Sequence, residues 1–497
     1  MSRLEKVFPE ILERILGHLD LNTIKSLRCT CKALGDRCIG PRFKSFVQNQ
    51  ETDLTLQSLD NLFDLASSPV ISQLVKHVTV TAVVFDTTEL ESKLQTGRKT
   101  VTERNGPIVS MTIMKCTEEE LAEAQADLDW LRANIDLRKK EDRVSVTASL
   151  VRVLRQFGKI HTLHVEARVL KGKDQKSWPG AASEWSPVFI RASEVYRIAM
   201  SAVARSKANL ECLAVYRFMP NMPKCGVPSF DITAHMETLE SEEGFAEAGA
   251  SIKDFALQFA TRTETDMAKI RAAREQLQGA DRAFHAAMGS KTGLYKAGDV
   301  EATAEENFPG IARLLKQLPN LEALDLHQRN TLGGSARRYV RIFTIIAEEV
   351  CLPSLERCCI RGLDVTEASL LRFLGSHPKL KHVEFRDVHL SEGSWEPILK
   401  QLSQMPSLAR LWLSNLFDDV HDVLNLSPGG LSKEELTEWR QRRWVYPCMG
   451  GPKVHSRQFT REDIQQGLNF PNQDLGYQLG SPSFLYWVNK RKEEFQL

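Results

Sequence analysis

Tyr216, Asp325, His327, Cys359, Arg361, Glu384, Arg386, Trp412 and Ser414 share one kind of position in this chain. Each lies between or just after two apolar residues in a short alternating run. On a strand, such residues point away from the face that the apolar pair buries. Arg, Trp, Tyr and His supply charge-assisted hydrogen bonds and flat apolar area, the features that anchor a bound partner. The chemistry such a row can do is recognition rather than bond-making. Tyr216, His327, Arg361, Arg386 and Trp412 are therefore the candidate substrate contacts, and Arg361 and Arg386 would suit an anionic mark on a substrate.

Bond-making constellations are poorly supported. Gly289-Ser-Lys-Thr292 has the flavour of a phosphate loop, but the first Gly is missing, an extra Ser separates Gly from Lys, and no apolar strand precedes it. Cys29, Cys31 and Cys38 lack zinc-ligand spacing. Cys358-Cys359 reads as one core thiol beside one facing solvent, not a redox pair. His377, His382 and His389 lack a helical i,i+4 relation and neighbouring carboxylates, which points to surface or capping roles. Trp439-Arg-Gln-Arg-Arg-Trp444-Val-Tyr446 could stack on nucleic acid or grip an acidic peptide. A helix end with buried Trp and solvated Arg accounts for it more simply. No Gly-x-Ser-x-Gly, His-Glu-x-x-His or Rossmann glycine pattern occurs. No catalytic residue, metal ligand or cofactor is assigned, and the chain reads as a non-enzyme. An unrecognised hydrolase or transferase would need a deep pocket of titrating groups with perturbed pKa values.

The elements that must position the recognition row repeat. Pro319-Asn-Leu321-Glu-Ala-Leu324-Asp-Leu326, Pro353-Ser-Leu355-Glu-Arg-Cys358-Cys-Ile360, Pro378-Lys-Leu380-Lys-His-Val383-Glu-Phe385 and Pro406-Ser-Leu408-Ala-Arg-Leu411-Trp-Leu413 share the phrase Pro-x-Leu-x-x-φ-x-φ, with φ apolar. Each copy follows a helical run, at 311–318, 340–350, 368–374 and 398–405. Pro stops the helix, the alternating pair is a short strand, and the leading Leu closes the gap between the two layers. One such unit cannot bury its own face, so units must stack. Weaker copies without Pro are Val75-Lys-His-Val78-Thr-Val80, Ile160-His-Thr-Leu163-His-Val165 and Leu210-Glu-Cys-Leu213-Ala-Val215. The last three Pro-led copies start roughly 25–28 residues apart, and the pattern resembles irregular leucine-rich repeats.

The opening stretch carries a second signal. Pro9 and Glu10 suit a first helical turn, and Ile11, Leu12, Ile15, Leu16 and Leu19 form a stripe behind them. Asp20 or Asn22 can cap a second helix bearing Ile24, Leu27, Cys31 and Leu34. A third amphipathic segment is expected over 36–48. Three short helices are too small to shield that many apolar residues. Leu4, Phe8-Pro9-Glu10-Ile11-Leu12, Ile15-Leu16, Leu19-Asp20, Leu27-Arg28, Cys31-Lys32 and Leu34 resemble the F-box motif, over roughly the first 45 residues. Phe8 stands where that family usually has Leu, and Leu34-Gly35 where an aromatic often follows. The resemblance implies docking on a Skp-type adaptor of a cullin–RING (SCF-type) ubiquitin ligase. It implies Phe8, Pro9, Ile11, Leu12, Ile15, Leu16, Leu19, Leu27, Cys31 and Leu34 as adaptor contacts. The alternative is a repeat scaffold outside any ligase, with these helices packed on their own chain. Complete burial of Leu12 and Leu16 within the chain would favour it.

Composition sets the outer bounds. Lys plus Arg is 65 and Asp plus Glu 64, so no whole-chain basic field points to nucleic acid. Ten cysteines with no paired framework suit a reducing compartment. No signal peptide or spanning helix is read. The expected fold class is α/β: an N-terminal three-helix F-box at 1–48, a helical connector at 49–75, and an irregular leucine-rich-repeat solenoid at 76–426. Helical insertions are expected at about 90–145 and 220–308, with an exposed helix at 118–143, a loop at 171–187 and helical structure around 252–288. A C-terminal cap is expected at 427–497, because Gly429-Gly430, Gly450-Gly451-Pro452 and many aromatics break the repeat. The implied partners are the adaptor and an unknown protein substrate, with no nucleic acid and no membrane. The implied setting is cytoplasmic, nuclear or both.

Overall fold

The computed structural model describes residues 6–105, 108–173, 186–217, 225–264, 268–269, 272, 295–296, 298–332, 336–418, 424–427, 432–435, 455–468 and 470. Leu4, the Trp178 and Trp185 loop, Gly289–Thr292, Trp439–Tyr446, the paired glycines and most of 427–497 lie outside them.

The chain opens with α1 (Pro9–Gly17), α2 (Leu21–Arg28), α3 (Lys32–Arg37) and α4 (Pro41–Val47). Pro9 begins α1 at the first turn, and the Asp20 carboxylate accepts from Thr23 N at 2.7 Å to cap α2. The expected second and third helices are each shorter than their apolar stripes suggest. Cys31 is extended and breaks the second stripe, while Pro41, which cannot continue a helix from Ile39, restarts the third.

In chain order the strands are β1 (Asn49–Thr52), β2 (His77–Phe85), β3 (Arg98–Asn105), β4 (Ile108–Lys115), β5 (Lys159–Leu170), β6 (Asn209–Val215), β7 (Val227–Pro228), β8 (Asp254–Ala260), β9 (Ala323–Arg329), β10 (Arg357–Arg361), β11 (Asp364–Thr366), β12 (His382–Glu392), β13 (Arg410–Phe417) and β14 (Ser456–Phe459). All but β3 and β4 form one 12-stranded sheet, ordered β1-β2-β5-β6-β8-β9-β10-β12-β13-β14, with β7 on β8 and β11 on β12. Every pairing within that sheet is parallel except β13 with β14. Parallel neighbours need crossovers, and here helices supply them: Arg143–Phe157, Ser186–Ser206, Ser229–Glu240, Gly310–Lys316, Val340–Glu349, Glu367–Ser376 and Trp395–Gln404. The main path follows chain order, so each strand adds to the edge left by the one before.

The register explains the repeated phrase. Val78, Leu163, Leu213, Phe255, Leu324, Cys358, Val383 and Leu411 stand in one row across the sheet. Val80, Val165, Val215, Leu257, Leu326, Ile360, Phe385 and Leu413 form the next apolar row of the same face. Both rows are buried in one continuous core with helix residues such as Leu150, Val203, Leu314, Ile346, Leu370 and Leu402. Gly362, Asp387 and Asn415 take left-handed φ values of 65°, 51° and 50°, each two residues past its second apolar strand residue. Those are residue types that tolerate this region, so the chain bends at the same point of three successive repeats, ending β10 at Gly362 and kinking β12 and β13 before their pairing resumes at Val388 and Leu416.

Three expectations need correction. The stretch around 252–288 holds β8 where helix was expected, because Phe255, Leu257 and Phe259 alternate inside an Ala-rich run. The connector at 49–75 contains β1 as well as the helices Leu56–Ser67 and Pro69–Ser72, so the sheet starts inside it. The first insertion is not wholly helical, since β3 and β4 pair as an antiparallel hairpin. Its helix, Glu118–Lys140, packs Ala124, Leu128 and Leu131 with Leu90 in a small cluster of its own. Beyond 427, β14 covers the edge of β13, and Phe459, Ile464 and Leu468 are buried.

Candidate functional site

Two surfaces hold the residues singled out in the sequence. The first is α1. Leu12 and Leu16 are 1% and 0% exposed and belong to the main core with Ile24, Phe43 and Val47. Leu34 is buried as well. In this fold these three expected adaptor contacts are covered by their own chain. The opposite side of α1 is open: Phe8, Ile11 and Ile15 are 73%, 51% and 38% exposed, and Pro9 is exposed beside them. Leu19, Leu27 and Cys31 are half-buried.

Polar contacts hold α1 at a fixed angle. The Glu13 carboxylate accepts from Arg42 N at 2.5 Å, and the Arg42 guanidinium donates to Leu19 O at 3.3 Å while lying 4.3 Å over the Phe46 ring. The Arg28 guanidinium donates to Gly35 O at 3.2 Å and covers Phe43 at 4.2 Å. The open apolar face is therefore carried on a helix tied to α4 by Glu13 and Arg42.

The second surface is the sheet face opposite the core. Asp325, Cys359, Glu384 and Trp412 stand side by side, with His327, Arg361, Arg386 and Ser414 in the next outward row. Arg361 pairs with Glu384 at 3.1 Å and with Asp325 at 3.8 Å. Arg386 pairs with Glu384 at 2.5 Å and stacks 3.4 Å over Trp412, whose indole N–H donates to Ser456 Oγ at 3.3 Å. The Cys359 thiol donates to Glu384 and accepts from Arg361. Burial, and then the Asp325 charge, push that thiol well above its ordinary pKa, so it stays protonated at neutral pH. His327 meets the Gln258 carboxamide at 3.0 Å. Arg361 and Arg386 are thus engaged by acids of their own chain.

Tyr216 does not belong to this row. It is buried, and its hydroxyl donates to Ala192 O in the helix layer at 2.8 Å. Its φ of 52° turns the chain just after Val215, which sends the ring inward and leaves Arg217 on the face, 3.3 Å from Asp325.

A cleft of about 630 Å³ runs over this face from Arg217 and Asp254 to Phe459 and Arg461. Its floor includes a row of which sequence reading named only His382, as a surface or capping residue: Arg357, His382 and Arg410, in register with Ala323. Each of the three precedes the first apolar residue of its repeat, so aligning the Pro-led copies one under another would have found them. Arg357 pairs with Asp254 at 3.2 Å, and Arg461 donates to Pro406 O at 3.3 Å. Arg410 is exposed and has no acidic partner among the described residues. Burial, then the Arg410 and Arg357 charges, hold His382 below its ordinary pKa.

Other groups have structural partners. His377 donates from Nδ1 to Phe373 O at 2.7 Å and accepts at Nε2 from Leu352 N at 3.2 Å, a capping role. His389 stacks on Phe417 with ring centroids 4.7 Å apart. Ser201 Oγ lies 3.4 Å from His235 Nε2, but the Asp231 carboxylate pairs with Arg197 at 2.5 Å. Burial lowers His235 to about 4, which makes it a weak base. Among the described residues no His, Cys, Asp and Glu side chains group to hold a metal, and no helix is long and apolar enough to cross a membrane. No protein-family model matches the chain, and neither does any curated protein sequence.

Proposed function

We propose that this chain is the substrate-receptor subunit of a cullin–RING (SCF-type) ubiquitin ligase. In this reading α1–α4 are an F-box that docks a Skp-type adaptor. The chain-ordered parallel sheet with its covered end is an irregular leucine-rich-repeat solenoid, and its polar face holds a protein substrate. The subunit makes no bond itself. It raises the local concentration of substrate lysines near the ubiquitin-charged partner, in the cytoplasm, the nucleus or both.

The observation that carries the reading is the two-sided α1. Leu12 and Leu16 anchor it in the core, while Phe8, Ile11 and Ile15 stand open on a helix that polar contacts hold in place. Spacing of three and four residues is what a helix-in-groove partner reads. The adaptor set is accordingly Phe8, Pro9, Ile11 and Ile15, with Leu19, Leu27 and Cys31 at its rim. One observation favours the second reading, a repeat scaffold outside a ligase: Leu12, Leu16 and Leu34 are wholly covered by their own chain.

Co-purification of the full chain with a Skp-type adaptor separates the two. The wild type should retain the adaptor, and Ile11→Asp with Ile15→Asp should lose it while keeping its thermal transition. A well-folded wild type that does not retain the adaptor hands the lead to the scaffold reading.

A further inference from the structure

We propose that the cleft over β8–β13 binds an extended acidic, unphosphorylated segment of the protein substrate, with carboxylates on Arg410 and Arg461 and an apolar side chain against Trp412. This rests on the substrate-receptor reading of that face. The floor crosses β8, β9, β10, β12 and β13; parallel strands lie about 4.8 Å apart, so it runs about 20 Å and takes roughly six extended residues.

Charge accounting selects the ligand. Arg217, Arg357, Arg361, Arg410 and Arg461 line the cleft against Asp254, Asp325, Glu384 and Glu462, five cations to four anions. The first three arginines are bound to acids of the chain: Arg217 and Arg361 to Asp325, Arg361 also to Glu384, and Arg357 to Asp254. Among the described residues Arg410 has no acidic partner, and Arg461 donates to the Pro406 carbonyl oxygen and has Glu462 beside it but no ion pair. Two guanidinium forks at one end of a cleft match two single carboxylates, each taken by one fork. Four fixed carboxylates nearby oppose the concentrated charge of a phosphoryl dianion or a nucleic-acid backbone. Ala323 and Ala409 keep the floor low, and the half-buried Trp412 gives flat apolar area on the same face.

The test uses the full chain and fluorescein-labelled peptides of one design: Gly-Gln-Leu-Glu-Glu-Leu-Gln-Gly, its counterpart with Gln for both Glu, and its counterpart with phosphoserine for both Glu. At about 50 mM salt the Glu peptide should bind at least about tenfold tighter than the Gln peptide, and salt should weaken it. Arg410→Gln with Arg461→Gln should lose at least about tenfold, because both forks are removed. Arg168→Gln, on the same sheet but outside the cleft, should bind as wild type. Equal binding of the Glu and Gln peptides overturns the proposal, as does an unchanged double variant. A phosphoserine peptide or a thymidine oligonucleotide of about ten residues that binds tenfold better also overturns it and reassigns the ligand. Adaptor co-purification is run on the same samples. Loss of acidic-peptide binding with adaptor retained overturns this inference alone, whereas an adaptor-negative wild type overturns the ligase reading alone.

Discussion

The sharpest prediction contrasts neighbours on α1. Fully burying an Ile or Phe side chain is worth about 1.5–3 kcal/mol, and the gain scales with the area still exposed. Phe8, Ile11 and Ile15, at 73%, 51% and 38% exposure, would therefore contribute about 2, 1 and 1 kcal/mol on docking. Replacing all three with Ala should weaken adaptor binding by about 4 kcal/mol, roughly a thousandfold in Kd. Because they face solvent, the same variant should change unfolding free energy by only about 0.5 kcal/mol per site. Leu16→Ala should behave in the opposite way. Leu16 is 0% exposed, so its loss should cost about 2–5 kcal/mol of stability, and any loss of binding should follow unfolding. Calorimetric titration with the purified adaptor, paired with urea unfolding of each variant, reads both quantities. The reasoning fails if the triple variant binds like wild type, or if Leu16→Ala leaves the urea midpoint unchanged.

Three further outcomes follow from the same structure. His235 is neutral in the fold, lowered to about 4, but takes up a proton near 6.5 when unfolded, so its contribution is present above pH 6.5 and is lost as pH falls towards 4. Up to about 3 kcal/mol should go over that window, and His235→Gln should flatten urea midpoints between pH 7 and 4.5; an equal slope in both proteins refutes it. Gly362→Ala should destabilise by at least about 1–2 kcal/mol, since φ is +65° and a new Cβ would lie 2.4 Å from Gln328 O; an unchanged melting temperature would count against the turn as drawn. At neutral pH, exposed Cys29 and Cys351 should alkylate at least about a hundredfold faster than buried Cys225, pushed up to about 12, and buried Cys358; peptide mass spectrometry orders them, and early labelling of Cys358 would contradict its burial.

The phrase Pro-x-Leu-x-x-φ-x-φ determined a good deal by itself. Its alternation placed β9, β10, β12 and β13, and even the weaker copies without Pro became β2, β5 and β6. Local chemistry suffices there: Pro ends a helix, and a period of two buries one face of a strand. Asp20 as a cap and Pro9 at a first turn were legible for the same reason. Partnership across the chain was not. Ile15 and Leu16 are adjacent apolar residues in one stripe, yet one is open and the other buried, because α4 decides which side of α1 is covered. Arg361 and Arg410 are both strand arginines, yet Arg361 is tied to Glu384 and Asp325, while Arg410 has no acidic partner among the described residues. A left-handed turn moved Tyr216 inward and put Arg217 in its place. Residue type and spacing set what each side chain can do; the register of strands distant in sequence sets which charges meet, and so which remain to meet a partner.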